Sequence, residues 1–195
     1  MAAERSRTDQ ERRHGPDEDV LRDLSLAYAA AADARDGEAL AALFVDDGAL
    51  VVPRYPVDLR PVLSRSGPDA LRQVAEMLRR YDRTFHVVAD TRFTVEGDSA
   101  SGEVQCVAHH VSAASPAGGG AADGQTGKAG DGGDGADGGV GPEGPAGPAG
   151  TDMVWFIRYR DRYRRSGRTW RFVRRELHLQ WVEEHPVQVL GAPID

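Results

Sequence analysis

The amino-acid sequence predicts an α+β fold: N-terminal helices laid on one face of a strongly curved antiparallel sheet, the two together enclosing a cone. Three observations lead there. Apolar residues recur at helical spacing only in the first part of the chain. Every block from Phe85 onward is long and rich in aromatic and β-branched residues, the pattern of strands. Glycine-bearing turns, Glu96-Gly97-Asp98-Ser99 and Ser166-Gly167-Arg168, separate these blocks at hairpin distance.

Taken in order, Val20, Leu21, Leu24, Tyr28 and Ala31 mark one face of a first helix that starts near Asp19. Gly37 interrupts it, and Leu40, Leu43 and Phe44 predict a second, short helix before Asp46-Asp47-Gly48. Residues 49–52 read as a short apolar strand, and 53–65, with Pro53, Pro56 and Pro61, as a loop. Ser66-Gly67-Pro68-Asp69 resembles a capping box with Ser66 as cap, ahead of a helix burying Leu71, Val74 and Leu78. Four strands then form a meander over 85–95, 100–111, 153–163 and 170–181.

The chain has 195 residues with 23 Gly and 11 Pro, unevenly spread, so the foldable part is shorter than the total. Residues 1–17 are polar and aperiodic and read as a disordered tail. Residues 113–150 are dominated by Gly, Ala, Asp and Pro, too poor in apolar area to offset the entropy of ordering. They read as a disordered loop interrupting one domain over 18–188, with 189–195 as a C-terminal tail. Loop-closure entropy grows only logarithmically, so a hairpin can carry such an insertion.

No run approaches the roughly 20 apolar residues that span a bilayer, and the charged opening lacks the apolar stretch of a secretory leader. The expectation is a soluble cytoplasmic protein with no membrane partner. Cys106 is the sole cysteine, which excludes an internal disulfide framework and a Cys-based zinc site. A formal charge of −7 argues against nucleic acid as a partner. The arginines Arg158, Arg160, Arg162 and Arg164, with Arg171, Arg174 and Arg175, read as a solvated outer face paired with acidic side chains. That face and the aromatic strands would suit a homodimer or homotrimer.

A curved sheet closed by helices forms an apolar pocket, the usual seat of a small ligand. Two polar features point into it. A two-residue loop at Gly97-Asp98 sets His86 opposite His109; a change of one residue sets His110 beside His86 and turns His109 outward. Asp33 ends the first helix, five residues after Tyr28, where a carboxylate meets the unfavourable end of the helix dipole. A histidine across the pocket would account for it: a carboxylate-oriented imidazole is a general base for a proton on carbon beside an activating group. Tyr28 could then hydrogen-bond a carbonyl or leaving hydroxyl.

The residues Tyr28-Ala-Ala-Ala-Ala-Asp33-Ala-Arg-Asp36, Ala41-Ala-Leu-Phe44-Val-Asp46-Asp47, Thr84-Phe-His86, Ala108-His109-His110, Tyr159-Arg-Asp161-Arg-Tyr163, Trp170-Arg171-Phe172 and Trp181 resemble the SnoaL-like branch of the nuclear-transport-factor-2-like superfamily, a cystatin-like roll. The resemblance covers nearly all of both ordered blocks. Characterised relatives include scytalone dehydratase, bile-acid 7α-dehydratase and hexachlorocyclohexane dehydrochlorinase, eliminating enzymes that use an Asp–His pair and no cofactor. It implies that Asp33 and His86 are the dyad, that Tyr28 matches the tyrosine of the bile-acid enzyme, and that His110 matches the second histidine of scytalone dehydratase. His109, Tyr55, Val52 and Tyr159 complete the expected pocket. Ala32 and Val52 stand where scytalone dehydratase has two water-orienting tyrosines, so its own reaction does not carry over, and Tyr55 is the nearest replacement.

The expected function is therefore a dehydratase or lyase-type elimination on a small apolar oxygenated substrate, with no cofactor and no metal. The alternatives are an isomerase or polyketide cyclase using the same pocket, or a non-catalytic small-molecule-binding or assembly subunit, since fold membership alone does not fix a reaction.

Overall fold

A computed structural model describes residues 15–53, 61–113 and 149–189. Helix α1 spans Pro16–Asp33 and α2 spans Gly37–Ala42; strands β1, Phe44–Pro53, and β2, Pro61–Ser66, precede α3, Pro68–Met77, and a 3-10 turn at Leu78–Arg80. The strands β3, Arg83–Glu96, β4, Ser99–Ala113, β5, Ala149–Ser166, and β6, Thr169–Gln188, follow. The described strands form one sheet in the order β2-β1-β6-β5-β4-β3, which is not closed: β2 and β3 are its edges.

Helix α1 buries Leu21, Ser25, Tyr28, Ala31 and Ala32, an i, i+4, i+7 stripe, against the sheet. It begins at Pro16, so two residues assigned to the N-terminal tail are helical, with Pro at the first turn where its missing N–H costs nothing. Asp17 pins this end by accepting from Trp170 Nε1 at 3.0 Å and pairing with Arg165. The other end is held by Arg35, whose guanidinium donates to the carbonyls of Tyr81 and Asp82 at 2.7 and 2.8 Å. The first end of α1 is thus tied to the β5–β6 hairpin and the last to the segment that enters β3.

Several expectations need correction. Phe44 opens β1 rather than closing α2, because β1 pairs in parallel with β6 at Phe44 and Phe172; the sheet is mixed, not purely antiparallel. Gly48 allows the two strands to approach: a Cβ there would lie 2.8 Å from the Val45 carbonyl and 3.1 Å from that of Phe172. Residues 61–66 are a strand paired antiparallel to β1, not part of a loop. Ser66 caps nothing; Gly67 precedes α3 at φ +80°, a conformation that L side chains resist. The hairpin strands extend to Ala113 and from Ala149, so the predicted insertion is shorter at both ends. Its remainder, 114–148, and tail residues 1–14 and 190–195 lie outside the described residues.

Curvature comes from bulges, each of which adds twist and reverses the alternation of side chains. In β3 the register slips between Val88 and Asp90; in β6 it slips twice, opposite Phe156/Ile157 and Arg162/Tyr163. These slips decide which polar side chains reach the interior.

Candidate active site

Between α1, α3 and the inner face of the sheet lies a cavity of about 280 Å³. Its wall is mostly apolar (Leu50, Val52, Met77, Ile157 and Leu177 among others), and the polar groups on it come from five elements. Tyr28 is supplied by α1, Arg80 by the 3-10 turn, His86 by β3, His110 by β4, and Trp155 and Tyr159 by β5. A larger hollow of about 660 Å³ along β3–β6 is lined by Arg92, Glu103, Arg160, Arg162, Arg174 and Glu176 among others, and holds no histidine.

The hairpin register settles which histidine joins His86. The turn at Gly97-Asp98 is two residues long, pairing Glu96 with Ser99, and would place His86 opposite His109 if the ladder ran on unbroken. The bulge at Ala89 removes one step, so His86 pairs with Ala108 and His110 falls on the same inner face. The two rings meet edge to face with centroids 5.8 Å apart.

Asp33 grips His86 with both carboxylate oxygens. Oδ2 accepts the His86 backbone N–H at 2.8 Å, and Oδ1 lies 2.7 Å from the ring Nδ1. The imidazole is 7 % exposed and the carboxylate 23 %. Burial alone would raise the Asp33 pKa, but the hydrogen bonds from the His86 ring and backbone outweigh it and hold the carboxyl below its ordinary range. An ionised carboxylate only accepts, so Nδ1 carries the ring proton and Nε2 is left as the basic nitrogen.

His110 is 3 % exposed, its ring flanked by Tyr81 and Trp155 with both centroids at 4.7 Å. Burial pushes its pKa down to about 4, against the pull of its hydrogen bond to Met153. Its Nδ1 faces the Met153 carbonyl at 3.2 Å, so that nitrogen bears the proton and Nε2 is an acceptor at neutral pH. The Tyr28 phenol, raised to about 12 by burial, stays protonated and can donate.

His109 is corrected: it leaves the pocket for the opposite face, where its Nδ1 lies 2.6 Å from Asp152 Oδ2. Val52 and Tyr159 line the cavity as expected, and Tyr55 lies outside the described residues. Cys106 is buried, with its thiol pushed up to about 12 by burial, and offers no thiolate. Among the described residues, no group of three or more His, Cys, Asp or Glu converges as a metal site would require.

Beneath the cavity lies a feature the sequence reading missed. Arg175, read as part of the solvated arginine face, is 1 % exposed and binds Asp161 through Nε and Nη2 at 3.0 and 2.9 Å. Tyr163 donates to the same carboxylate at 2.9 Å, and the guanidinium lies 4.3 Å over the Tyr28 ring and 4.1 Å over that of Tyr159. Burial opposes charge on both partners; for Arg175 the Asp161 carboxylate prevails and its pKa is raised. The available signal was parity: Asp161 alternates with Tyr159 and Tyr163 on an apolar face and therefore requires a buried cation.

The sequence model of the SnoaL-like domain matches residues 13–176. Among solved structures, a type 2 hexachlorocyclohexane dehydrochlorinase is similar at 14 % identity and a TM-score of 0.60, over 90 % of this chain and 93 % of that one. Rv3472 of Mycobacterium tuberculosis, a protein of unknown function, is similar at 21 % identity and 0.56, over 85 % and 76 %. A protein of Novosphingobium aromaticivorans described as NTF2-like with a cystatin-like fold is similar at 23 % and 0.51, over 92 % and 88 %. At such identities these likenesses speak to the fold. A search of curated proteins finds no significant match.

Proposed function

Because the chain belongs to the SnoaL-like family, in which a shared fold leaves the reaction to be argued from the site, we propose that it is an acid–base enzyme that eliminates water from a small, mostly apolar ketone-bearing substrate without a cofactor. The observation that carries this is the 2.7 Å contact between Asp33 Oδ1 and His86 Nδ1 on the wall of the cavity. A binding module has no need of a carboxylate that fixes one imidazole tautomer through the ring Nδ1 while holding the same residue's backbone N–H.

In the proposed reaction His86 Nε2 removes a proton from the carbon beside the substrate carbonyl, and Asp33 balances the imidazolium that forms. Tyr28 donates to the carbonyl oxygen as negative charge collects there. The bond from the neighbouring carbon to its hydroxyl then breaks, and the proton held on Nε2 leaves with that hydroxyl as water. His110 is assigned an accepting and orienting role rather than that of the acid, since a neutral ring with its proton on Nδ1 has none to give from Nε2. Chloride is named as a leaving group by the dehydrochlorinase similarity, and the same site would serve either elimination.

The test is turnover of a panel of β-hydroxy-ketones, hydroxy-steroids and hydroxylated polyketides, read as growth of the conjugated enone absorbance. The wild-type protein converts at least one class and His86→Ala loses conversion by about 10³-fold or more. Equal turnover by His86→Ala would remove the base and with it the proposal.

A further inference from the structure

The outer face of the sheet, turned away from the cavity, leaves large apolar side chains in water. Strand alternation puts Phe156, Arg158 and Arg160 on the side opposite Trp155, Ile157 and Tyr159, which line the cavity. On that outer side Phe85 is 64 %, Trp181 52 % and Val87 39 % exposed, and Trp181 stacks on Phe156 with centroids 4.2 Å apart. Cross-strand register sets Val87 on β3, Val107 on β4, Phe156 on β5 and Trp181 on β6 in one row. Single exposed apolar residues need no explanation, but a contiguous row marks a contact surface.

The same register arranges the charges. A second row reads Arg92, Glu103, Arg160 and Glu176, alternating in sign across the same four strands. The hollow of about 660 Å³ lies over it, so the face is dished and can receive another surface. Glu103 reaches only Arg158, at 3.6 Å, and among the described residues no carboxylate pairs with Arg160.

An isologous contact about a two-fold axis sets a face against itself. With the axis along the strands, between β4 and β5, each row meets its own reverse. Trp181 then covers Val87 of the second copy and Phe156 covers its Val107, large side chain on small. Arg92 faces Glu176 and Glu103 faces Arg160, each twice by symmetry. In the intervening row Asp90 meets His178 and Gln105 meets Arg158. No like charges are opposed in these rows. An axis across the strands opposes like with like when centred on the charged row, and lays charged on apolar when centred between the two. Packed sheets cross at about 30°, which displaces the outer pairs most and the Glu103–Arg160 pairs beside the axis least. Four strands about 4.8 Å apart, over the length from Val154 to Arg162, give roughly 500 Å² of flat sheet. Side-chain relief adds to this, towards the roughly 800 Å² per partner of a standard interface.

We propose that this outer face joins two copies of the chain about a two-fold axis parallel to the strands, with Glu103 and Arg160 paired across it beside the Val87–Trp181 row. The cavity lies on the other side of the sheet, so this pairing and the elimination stand or fall separately.

The experiment is sedimentation velocity of the full chain at about 5–50 µM, with circular dichroism melts to show that each variant folds. The wild type sediments as a dimer of twice 21.0 kDa. Val87→Lys, at a position already exposed, weakens association by about 100-fold or more, whereas Leu26→Lys, at an exposed position on α1, leaves it unchanged. Glu103→Arg and Arg160→Glu each sediment as monomers, and an equimolar mixture of the two restores dimers, because opposite signs again face each other across the axis. Should a charge variant fail to fold, Val87→Lys against Leu26→Lys still decides. A wild-type monomer at about 50 µM, a trimer, a dimer untouched by Val87→Lys, or a mixture of folded charge variants that stays monomeric each overturns the assignment.

Discussion

Replacing Asp33 by Asn is the most informative single change, because it alters chemistry while nearly preserving shape. The carboxamide oxygen can still accept the His86 backbone N–H, now 2.8 Å from Oδ2. The amide NH₂ then faces Nδ1, where Oδ1 stood at 2.7 Å, and a donor facing Nδ1 requires the other tautomer. The proton moves to Nε2 and the basic lone pair leaves the cavity side of the ring. A tautomer reversal of this kind in a carboxylate–histidine pair costs about 10⁴ in kcat, which at 1.36 kcal/mol per decade is about 5 kcal/mol of transition-state stabilisation. Stability falls much less: one charge-assisted hydrogen bond is lost at a carboxylate 23 % exposed, about 1–2 kcal/mol or roughly 5 °C in Tm. Long-range ¹H–¹⁵N NMR of the His86 ring reads the tautomer without any substrate. The wild-type ring shows the proton on Nδ1 and Asp33→Asn shows it on Nε2. A wild-type ring protonated on Nε2, or one unmoved by the substitution, would refute the reasoning.

Three further consequences are measurable. Asp161→Asn leaves the Arg175 guanidinium buried without its counter-charge, costing about 3–5 kcal/mol and about 10 °C in Tm by calorimetry, whereas Glu103→Gln, which within the chain breaks only the half-buried, long 3.6 Å pair with Arg158, costs less than about 1 kcal/mol. Because folding lowers the His110 pKa from 6.5 to about 4, its contribution to stability is complete above pH 6.5 and is lost as pH falls towards 4, where the unfolded chain binds the extra proton. The full difference is worth about 3 kcal/mol, and water reaching the ring through the cavity reduces it to about 2; urea unfolding at pH 7 and 4.5 should show that much less acid sensitivity in His110→Gln. Gly67→Ala forces a Cβ onto φ +80°, ψ 163°, a region essentially reserved for glycine, with only the Asp46 carbonyl near it at 3.9 Å, so it costs about 2–3 kcal/mol from backbone conformation alone, visible as a shift in urea midpoint at unchanged m-value.

Helical periodicity and hairpin turns are local signals, and they carried the sequence reading through α1, α3 and the four-strand meander. The Asp33–His86 pair was legible for a related reason: a carboxylate at a helix C-terminus and an imidazole on an inward strand position are each anomalous alone and compatible together. What escaped depended on bulges, which leave little trace in composition. Nothing around Ala89 announces the missing ladder step, so the sequence left His109 and His110 as alternatives until the register was known. The slip in β6 beside Val173 turns Arg175 inward, where an unbroken alternation leaves it with the exposed arginines. Strand β2 was hidden because Ser64 and Ser66 on an edge strand give no apolar run, and its pairing with β1 is a tertiary choice. Phe44 fits a helical interval from Leu40 equally well; only the parallel contact with Phe172 makes it a strand residue.

Proton abstraction by His86 from carbon beside a carbonyl is tested by deuterium incorporation, without knowledge of the leaving group. Saturated cyclic ketones and keto acids, incubated with the protein in D₂O and followed by ¹H NMR, lose their α-proton signal faster than in buffer for at least one member of the series. The same rate enhancement disappears in His86→Ala and falls by about 10³–10⁴-fold in Asp33→Asn. Exchange no faster than buffer across the series, or an enhancement that persists in His86→Ala, would contradict it.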